Sequence, residues 1–195
     1  MFTFHSVSVT EVNKLLKALK ANKATGPDGL PNKFIKIASD TIAYPLSSLY
    51  NSCLMSGLIP TAWKTAIVTP VFKSGDKTKV ENYRPISLLS NISKVFERLV
   101  VNQLQSFSTD NNIIDDRQHG FRPNFSTRTA VVSLTDSVFN AMSRNEVSLL
   151  VLLDFSKAFD IISHDILLAK LYHYGSRGIE LNLIHNYLTN RLFLL

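Results

Sequence analysis

The chain has 195 residues, 45% apolar and 18% charged, which suits one substantial globular domain or two small ones and excludes a disordered chain. Its 21 Lys and Arg against 15 Asp and Glu leave a net charge of +6, so an anionic partner is expected, with nucleic acid first among the candidates. The single cysteine, Cys53, excludes an intrachain disulfide and a cysteine-built zinc site, and the longest apolar run, Leu149 to Leu153, is far short of the ~20 residues a membrane span needs.

In chain order, Thr10 is placed to cap a helix in which Val12, Leu15, Leu16 and Leu19 recur at helical spacing, with Lys14, Lys17 and Lys20 mostly on the other face. The turn formers of KATGPDGLP, Lys23 to Pro31, predict an ordered loop. Pro31 suits the first turn of a helix to about Ala38. A longer helix is predicted from about Thr41 to Ser56, with Leu46, Leu49, Tyr50, Cys53 and Leu54 inward and Gly57 as its stop. The period then changes. Ala66 to Lys73 is β-rich, Ser74 to Lys79 is a turn, and Arg84 to Leu89 forms the return strand of a basic hairpin, with Pro70 and Pro85 marking short or edge strands.

Asn91 or Ser93 opens the next helix, with Val95, Phe96, Leu99, Val100, Leu104 and Phe107 as its buried face. Asp110 to Ser126 is a long polar connection, and Ser126 or Thr127 caps a helix through about Met142 that lines up Val131, Leu134 and Val138. Ser148 to Leu153 is a continuous apolar run, predicted to be a buried strand ending at Asp154. Ser163 caps a helix to about Tyr172 that Gly175 ends, and a last helix from Glu180 to Thr189 turns Leu181, Ile184 and Leu188 inward. The order of elements is that of an α+β fold. The opening MFTFHSVSVT lacks the charged-then-apolar order of a signal peptide, so an intracellular location is expected, nuclear or cytoplasmic residence being left open.

Charge is unevenly spread. Residues 1–63 carry +3 and residues 64–128 carry +4, whereas residues 129–195 carry −1 with spaced carboxylates. One reading is a basic cradle beside an acidic metal-binding region; the other is ordinary surface variation. Asp154 follows the apolar run directly, and an ionised carboxylate held there calls for a partner. Either a divalent cation such as Mg²⁺ or Mn²⁺ meets it, or it caps the backbone or pairs with a Lys or Arg. In DFSKAFD, Phe159 either walls a nucleotide-sized pocket or packs in the core, and Asp160 is a structural hydrogen-bond acceptor rather than a second ligand. Trp63 and Phe121 read as core residues rather than stacking ones.

These residues spell a family. LLDFSKAFD, with HDILLAKL and YGSRG after it, resembles the reverse transcriptase domain of non-LTR retrotransposons, especially the jockey and LINE-like elements. KATGPDGLP, GLIPTAWKTAIVTPVFKSGD, NYRPISLLSNISKVFERLV and QHGFRPNFSTRTAV look like earlier blocks of the same domain in the same order. The resemblance implies a right-hand polymerase: fingers with the first palm helices over residues 1–145, and a partial palm, an incomplete antiparallel sheet with packed helices, over residues 146–195. It implies that Asp154 binds the catalytic Mg²⁺ or Mn²⁺ with help from the Phe155 backbone carbonyl, and that Phe159 lies under the sugar. It further implies that Lys73 and Arg84 grip the incoming triphosphate and that Arg122 contacts template or nucleotide. Read without the family, Lys73 is equally a solvated turn lysine. The implied partners are an RNA template, a DNA primer and a deoxynucleoside triphosphate, with no membrane.

The sequence also departs from the family pattern. The Pro-Gln-Gly block and the aromatic-Ala-Asp-Asp turn, which bring the remaining metal-binding aspartates, do not occur in it, nor do thumb, endonuclease or zinc-knuckle regions. Two-metal phosphoryl transfer needs carboxylates bridging cations ~3.5–4 Å apart. The expectation is therefore an N-terminal fragment of a polymerase, inactive alone, with a catalytically dead nucleic-acid-binding relic as the alternative.

Overall fold

Helix α1, Val9–Ala18, begins at Ser8, whose hydroxyl accepts from the Glu11 N–H at 3.2 Å while Glu11 reaches back to the Ser8 N–H at 2.8 Å. This reciprocal box places the start two residues before the predicted cap at Thr10. A computed structural model describes residues 1–155 and 158–194; Ser156 and Lys157 of the LLDFSKAFD block and the final Leu195 lie outside the described residues. Helix α2, Asn32–Ile37, starts after Pro31, and α3, Ser39–Ser56, ends on Gly57 at φ 67°, a left-handed cap that suits glycine. Val12 and Leu16 of α1 pack on the α3 face formed by Ala43, Tyr50, Cys53 and Leu54, whereas Leu49, expected inward, is exposed.

A short 3₁₀ turn, Thr61–Lys64, leads into strand β1, Thr65–Phe72, which pairs antiparallel with β2, Tyr83–Leu88. The predicted hairpin is present within a residue or two of its expected bounds. The sheet is mixed rather than purely antiparallel: β3, Leu192–Leu194, adds parallel to β1 in the order β2-β1-β3, with Thr65 opposite Leu192. Nothing in the short LFL segment distinguishes a strand from the end of the preceding helix by period alone.

Helix α4, Asn91–Asp110, opens at Ser90, whose hydroxyl accepts from the Ile92 N–H at 3.2 Å and donates to Asp28 of the KATGPDGLP loop at 2.5 Å. Helix α5 is Thr127–Ser143, capped by Ser126 as predicted; α6 is His164–His173 on a Ser163 cap; α7 is Gly178–Leu188. The residue of α7 that is fully buried is Leu183, one position before Ile184.

The chain divides into two compact units: residues 1–106 with 163–195, and residues 107–162. The first unit holds the core. Tyr50, Trp63 and Phe96 meet with ring centroids 5.4–5.7 Å apart, and the Tyr50 hydroxyl donates to the Ile92 carbonyl at 2.8 Å. Asparagines tie its distant segments. Asn186 Oδ1 accepts from the Ile59 N–H at 2.9 Å, and Asn182 Nδ2 donates to the Gly57 carbonyl at 3.2 Å.

The second unit holds α5 and the loops on either side, and two expectations fail there. Ser148 to Leu153 forms no strand; Leu149 to Leu153 are exposed and without regular structure. A run that is apolar on both faces becomes a strand only when a neighbouring edge pairs with it and both faces are covered. No described residue pairs with this one. Val131 and Leu134 of α5 are exposed for the same want of a covering layer, and Phe121, expected in the core, is 85% exposed.

Candidate nucleotide and metal site

Lys73 and Arg84 belong to the first unit. The Lys73 N–H donates to the Asn82 carbonyl at 2.8 Å, and Arg84 stands opposite Val71. Alternation along the ladder therefore puts Lys73 and Arg84 on the same face as diagonal neighbours, within about 8 Å of each other at the backbone. Both are exposed. On the other face the Phe72 and Tyr83 rings meet edge-on at 5.5 Å, and the Lys77 ammonium sits 5.6 Å from the Phe72 ring.

The tip that carries these cations is ordered by its own polar groups. Asp76 accepts from the Thr78 N–H at 2.9 Å and the Thr78 hydroxyl at 2.8 Å, and these bonds hold its carboxyl below the usual carboxylate range. Asn82 Nδ2 donates to the Asp76 carbonyl at 2.7 Å, and the Tyr83 hydroxyl donates to the Lys77 carbonyl at 2.9 Å. The turn residues Ser74 to Lys79 signalled the loop; the closing role of Asn82 and Tyr83 depends on pairing register and carried no local signal. The hairpin end thus presents Lys73, Lys77, Lys79 and Arg84 on a stiff frame. Phosphate oxygens are the chemistry that such a cluster suits, with Arg84 able to make a two-pronged contact.

Arg122, Asp154, Phe155 and Phe159 belong to the second unit. The Arg122 guanidinium donates to the Asp115 carbonyl at 2.9 Å, lies 3.5 Å from Asp116 Oδ1 and covers the Phe125 ring at 4.3 Å. It holds the QHGFRPNFS loop closed. Phe159 is 75% exposed, and its ring meets that of Phe121 edge-on at 6.2 Å. Phe121 adopts φ 60°, a left-handed conformation that costs a non-glycine residue, and its ring is exposed. Sequence reasoning singled out Phe159 without this partner.

Asp154 and Phe155 are exposed, and the Asp154 carboxylate makes no hydrogen bond or ion pair among the described residues. A free carboxylate followed by a backbone carbonyl is a hard oxygen pair of the kind Mg²⁺ or Mn²⁺ accepts, the remaining positions going to water and substrate phosphate. Among the described residues no group of three or more His, Cys, Asp or Glu side chains comes together. Asp154 and Phe155 therefore fit one partial cation site, not a closed cage.

Comparison with known proteins adds the family. The profile of the family described as reverse transcriptase (RNA-dependent DNA polymerase) matches residues 73–194. A protein named as a probable RNA-directed DNA polymerase from transposon BS of Drosophila melanogaster is 35% identical over 166 residues, which is 85% of this chain and 18% of that protein. The RNA-directed DNA polymerase from mobile element jockey of Drosophila melanogaster is 34% identical over 166 residues, again 85% of this chain and 18% of the relative. Its counterpart in Drosophila funebris is 33% identical over 165 residues, 84% of this chain and 18% of the relative. The chain thus spans 18% of the length of each of these relatives. The profile match begins at Lys73, runs through Arg84 and Asp154 and ends in β3, and with it this chain of mixed helix and small three-stranded sheet belongs to the reverse transcriptase family.

Proposed function

We propose that the chain is the fingers and first palm segment of an RNA-directed DNA polymerase of a mobile element, residues 1–145 serving as fingers with the first palm helices and residues 146–195 as the start of the palm. The parent reaction is attack of a primer 3′-hydroxyl on the α-phosphate of a deoxynucleoside triphosphate, copied from an RNA template, with pyrophosphate leaving. The observation that carries the reading is the shared face of Lys73 and Arg84 on an ordered basic hairpin, inside the stretch that matches the family.

In this reading Lys73 and Arg84 bind and orient the triphosphate, and their positive charge offsets charge that builds on its oxygens. Phe159, supported at its edge by Phe121, presents an apolar surface to the sugar and leaves no hydrogen-bond partner for a 2′-hydroxyl. Asp154 and the Phe155 carbonyl hold a Mg²⁺ or Mn²⁺ ion, which supplies charge neutralisation and a polarised oxygen when bound. Arg122 contacts template or nucleotide by giving up its long, solvent-facing approach to Asp116 while keeping the Asp115 carbonyl.

A second reading is nucleic-acid binding without catalysis. It draws on the positive charge of residues 1–128 and on the lack of a three-carboxylate cluster among the described residues. Two assays on the full chain separate the readings. Filter binding to an RNA–DNA primer-template at low salt tests for the basic surface, and equilibrium binding of a deoxynucleoside triphosphate with Mg²⁺ tests for the nucleotide site, since a chain expected to be inactive alone does not extend a primer by itself. Triphosphate binding that is lost in Lys73→Gln and Arg84→Gln supports the polymerase reading. Salt-sensitive primer-template binding without triphosphate binding selects the second. Absence of both overturns the two together.

A further inference from the structure

Lys64 and Arg191 are the residues just before β1 and β3, whose first paired residues are Thr65 and Leu192. The parallel register therefore sets the two cations side by side at the base of the sheet. Lys64 is 6% exposed and makes no hydrogen bond or ion pair among the described residues. Arg191 donates from Nε to the Tyr187 carbonyl at 3.0 Å and lies with its guanidinium 4.1 Å from the Tyr187 ring. Its Nη2 is buried and has no acceptor.

A buried Arg191 N–H group with nothing to accept from it, beside the ammonium of a second cation, is costly unless an anion completes the set. The carboxylate that bears on Arg191 is Glu97, and it is already engaged: the Tyr187 hydroxyl donates to its Oε1 at 3.1 Å. Lys94 also acts on Glu97, while its own ammonium donates to Asn91 Oδ1 at 3.2 Å. Burial lowers the affinity of Lys64 for its proton, and the Arg191 guanidinium lowers it further, so the pair gains most from a ligand with several negative oxygens. A carboxylate could satisfy one cation. A phosphate can take the in-plane fork of Arg191 and the point charge of Lys64 together.

We propose that Lys64 and Arg191 form an oxyanion site of phosphate class at the base of β1 and β3, separate from Lys73 and Arg84 on the hairpin. The phosphate comes either from a free phosphate group or nucleotide, or from a nucleic-acid backbone. The site does not rest on the polymerase reading.

The test uses the full chain labelled with ¹⁵N at arginine. Inorganic phosphate is titrated at constant ionic strength with chloride as the control, and the Arg191 Nε–H resonance is followed. A saturable shift with phosphate and none with chloride is expected, and Lys64→Met weakens the fitted affinity about tenfold or more. With no anion present, Lys64→Met melts at or above the temperature of the parent, because an apolar side chain of similar length removes the like-charge repulsion with Arg191. A phosphate response equal in the parent and in Lys64→Met, or no saturable response in the parent, overturns the site. Two further titrations, with a deoxynucleoside triphosphate and with a single-stranded oligonucleotide, identify the source by which binds more tightly than inorganic phosphate. Repeating them in Lys73→Gln with Arg84→Gln keeps the sites apart: loss of the hairpin cations leaves the Arg191 response intact if the proposal holds and abolishes it if the hairpin is the true site.

Discussion

Pro70 stands directly opposite Pro85 across the β1–β2 ladder. The bond from the Lys73 N–H to the Asn82 carbonyl fixes the alternation: 71 with 84 and 69 with 86 take hydrogen-bonding positions, whereas 70 with 85 does not. Both prolines therefore fall where the missing N–H would point away from the partner strand. A one-residue slip would move a proline onto a bonding position, so the pair pins the register that puts Lys73 and Arg84 on one face. Ile86→Pro, at a bonding position, is expected to destabilise the first unit by about 3 kcal/mol in a urea melt, whereas Pro85→Thr stays within about 0.5 kcal/mol of the parent. Equal effects of the two would show that the ladder parity is wrong.

The KATGPDGLP loop is held by the close approach of Gly26 to the end of β2. A Cβ at Gly26 would overlap the Leu89 carbonyl group and the Ser90 nitrogen, all backbone atoms that cannot move aside, while nothing stands within 4 Å of a Cβ at Gly29. Gly29 has φ 65°, so its cost is conformational alone. Gly26→Ala is expected to cost about 2–3 kcal/mol by overpacking, and Gly29→Ala about 1 kcal/mol. Chemical denaturation of both variants gives the ranking, and a larger loss at Gly29 would contradict the packing.

How much of this was legible follows from the range over which each feature is determined. Helices α3, α5 and α6, with Gly57, Ser126 and Ser163 at their ends, are written in local caps and period, and the hairpin in its turn residues. The site residues Lys73, Arg84, Asp154 and Phe159 came from motif order, and the structure adds that Lys73 shares a face with Arg84 and Phe159 meets Phe121. The tie from Gly26 to Leu89, the pairing of β3 with β1 and the Lys64–Arg191 juxtaposition link segments 60 or more residues apart, and no local pattern encodes them. The strand expected at Ser148 to Leu153 shows the converse limit, since composition reports β-preference but not whether a partner edge exists.

The aromatic cluster gives a third prediction. Trp63 and Phe96 each touch the other and Tyr50, and all three are buried. Phe96→Ala is expected to cost about 3–5 kcal/mol, through lost burial and the cavity left behind. Tyr50→Phe keeps the ring and removes the hydroxyl that donates to the Ile92 carbonyl, for a loss of about 1 kcal/mol. Thermal or urea unfolding of the two variants checks both figures, and a Tyr50→Phe loss as large as that of Phe96→Ala would move the weight from packing to the hydrogen bond.

Glu97 makes stability depend on pH in an unusual direction. Burial raises its carboxyl above the ordinary value, against smaller lowering effects from the Tyr187 hydroxyl, Arg191 and Lys94. A carboxyl with a raised folded pKa binds its proton more tightly in the folded than in the unfolded chain. Its contribution to stability is therefore largest below the unfolded value and is lost as pH rises through the folded one. Glu11, Asp40 and Asp76 are shifted downward and act in the opposite sense. Comparison with Glu97→Gln isolates the effect, because the amide oxygen still accepts from Tyr187 and carries no charge. The variant is expected to gain melting temperature relative to the parent as pH rises from 4 to 8. A gap independent of pH would show that Glu97 is ionised at no cost in the folded chain.

The last prediction concerns residues 147–153. Val147, Leu149, Leu150, Val151, Leu152 and Leu153 are between 54% and 99% exposed, and Phe155 follows them at 72%. The run is β-prone, free of proline and without a charge before Asp154. A segment of this composition whose backbone makes no hydrogen bond among the described residues is a template for pairing with another copy of itself. The chain is expected to self-associate with rising concentration, faster at high salt, where its net positive charge repels other copies less. Placing a charge on each face of the would-be strand, with Val151→Lys and Leu152→Lys, blocks the pairing whichever face is turned inward. Size-exclusion chromatography with light scattering across a concentration series decides it. A parent that runs as a monodisperse monomer at every concentration would show that the run is covered in solution, and the double variant would then lower the melting temperature instead of curing an association.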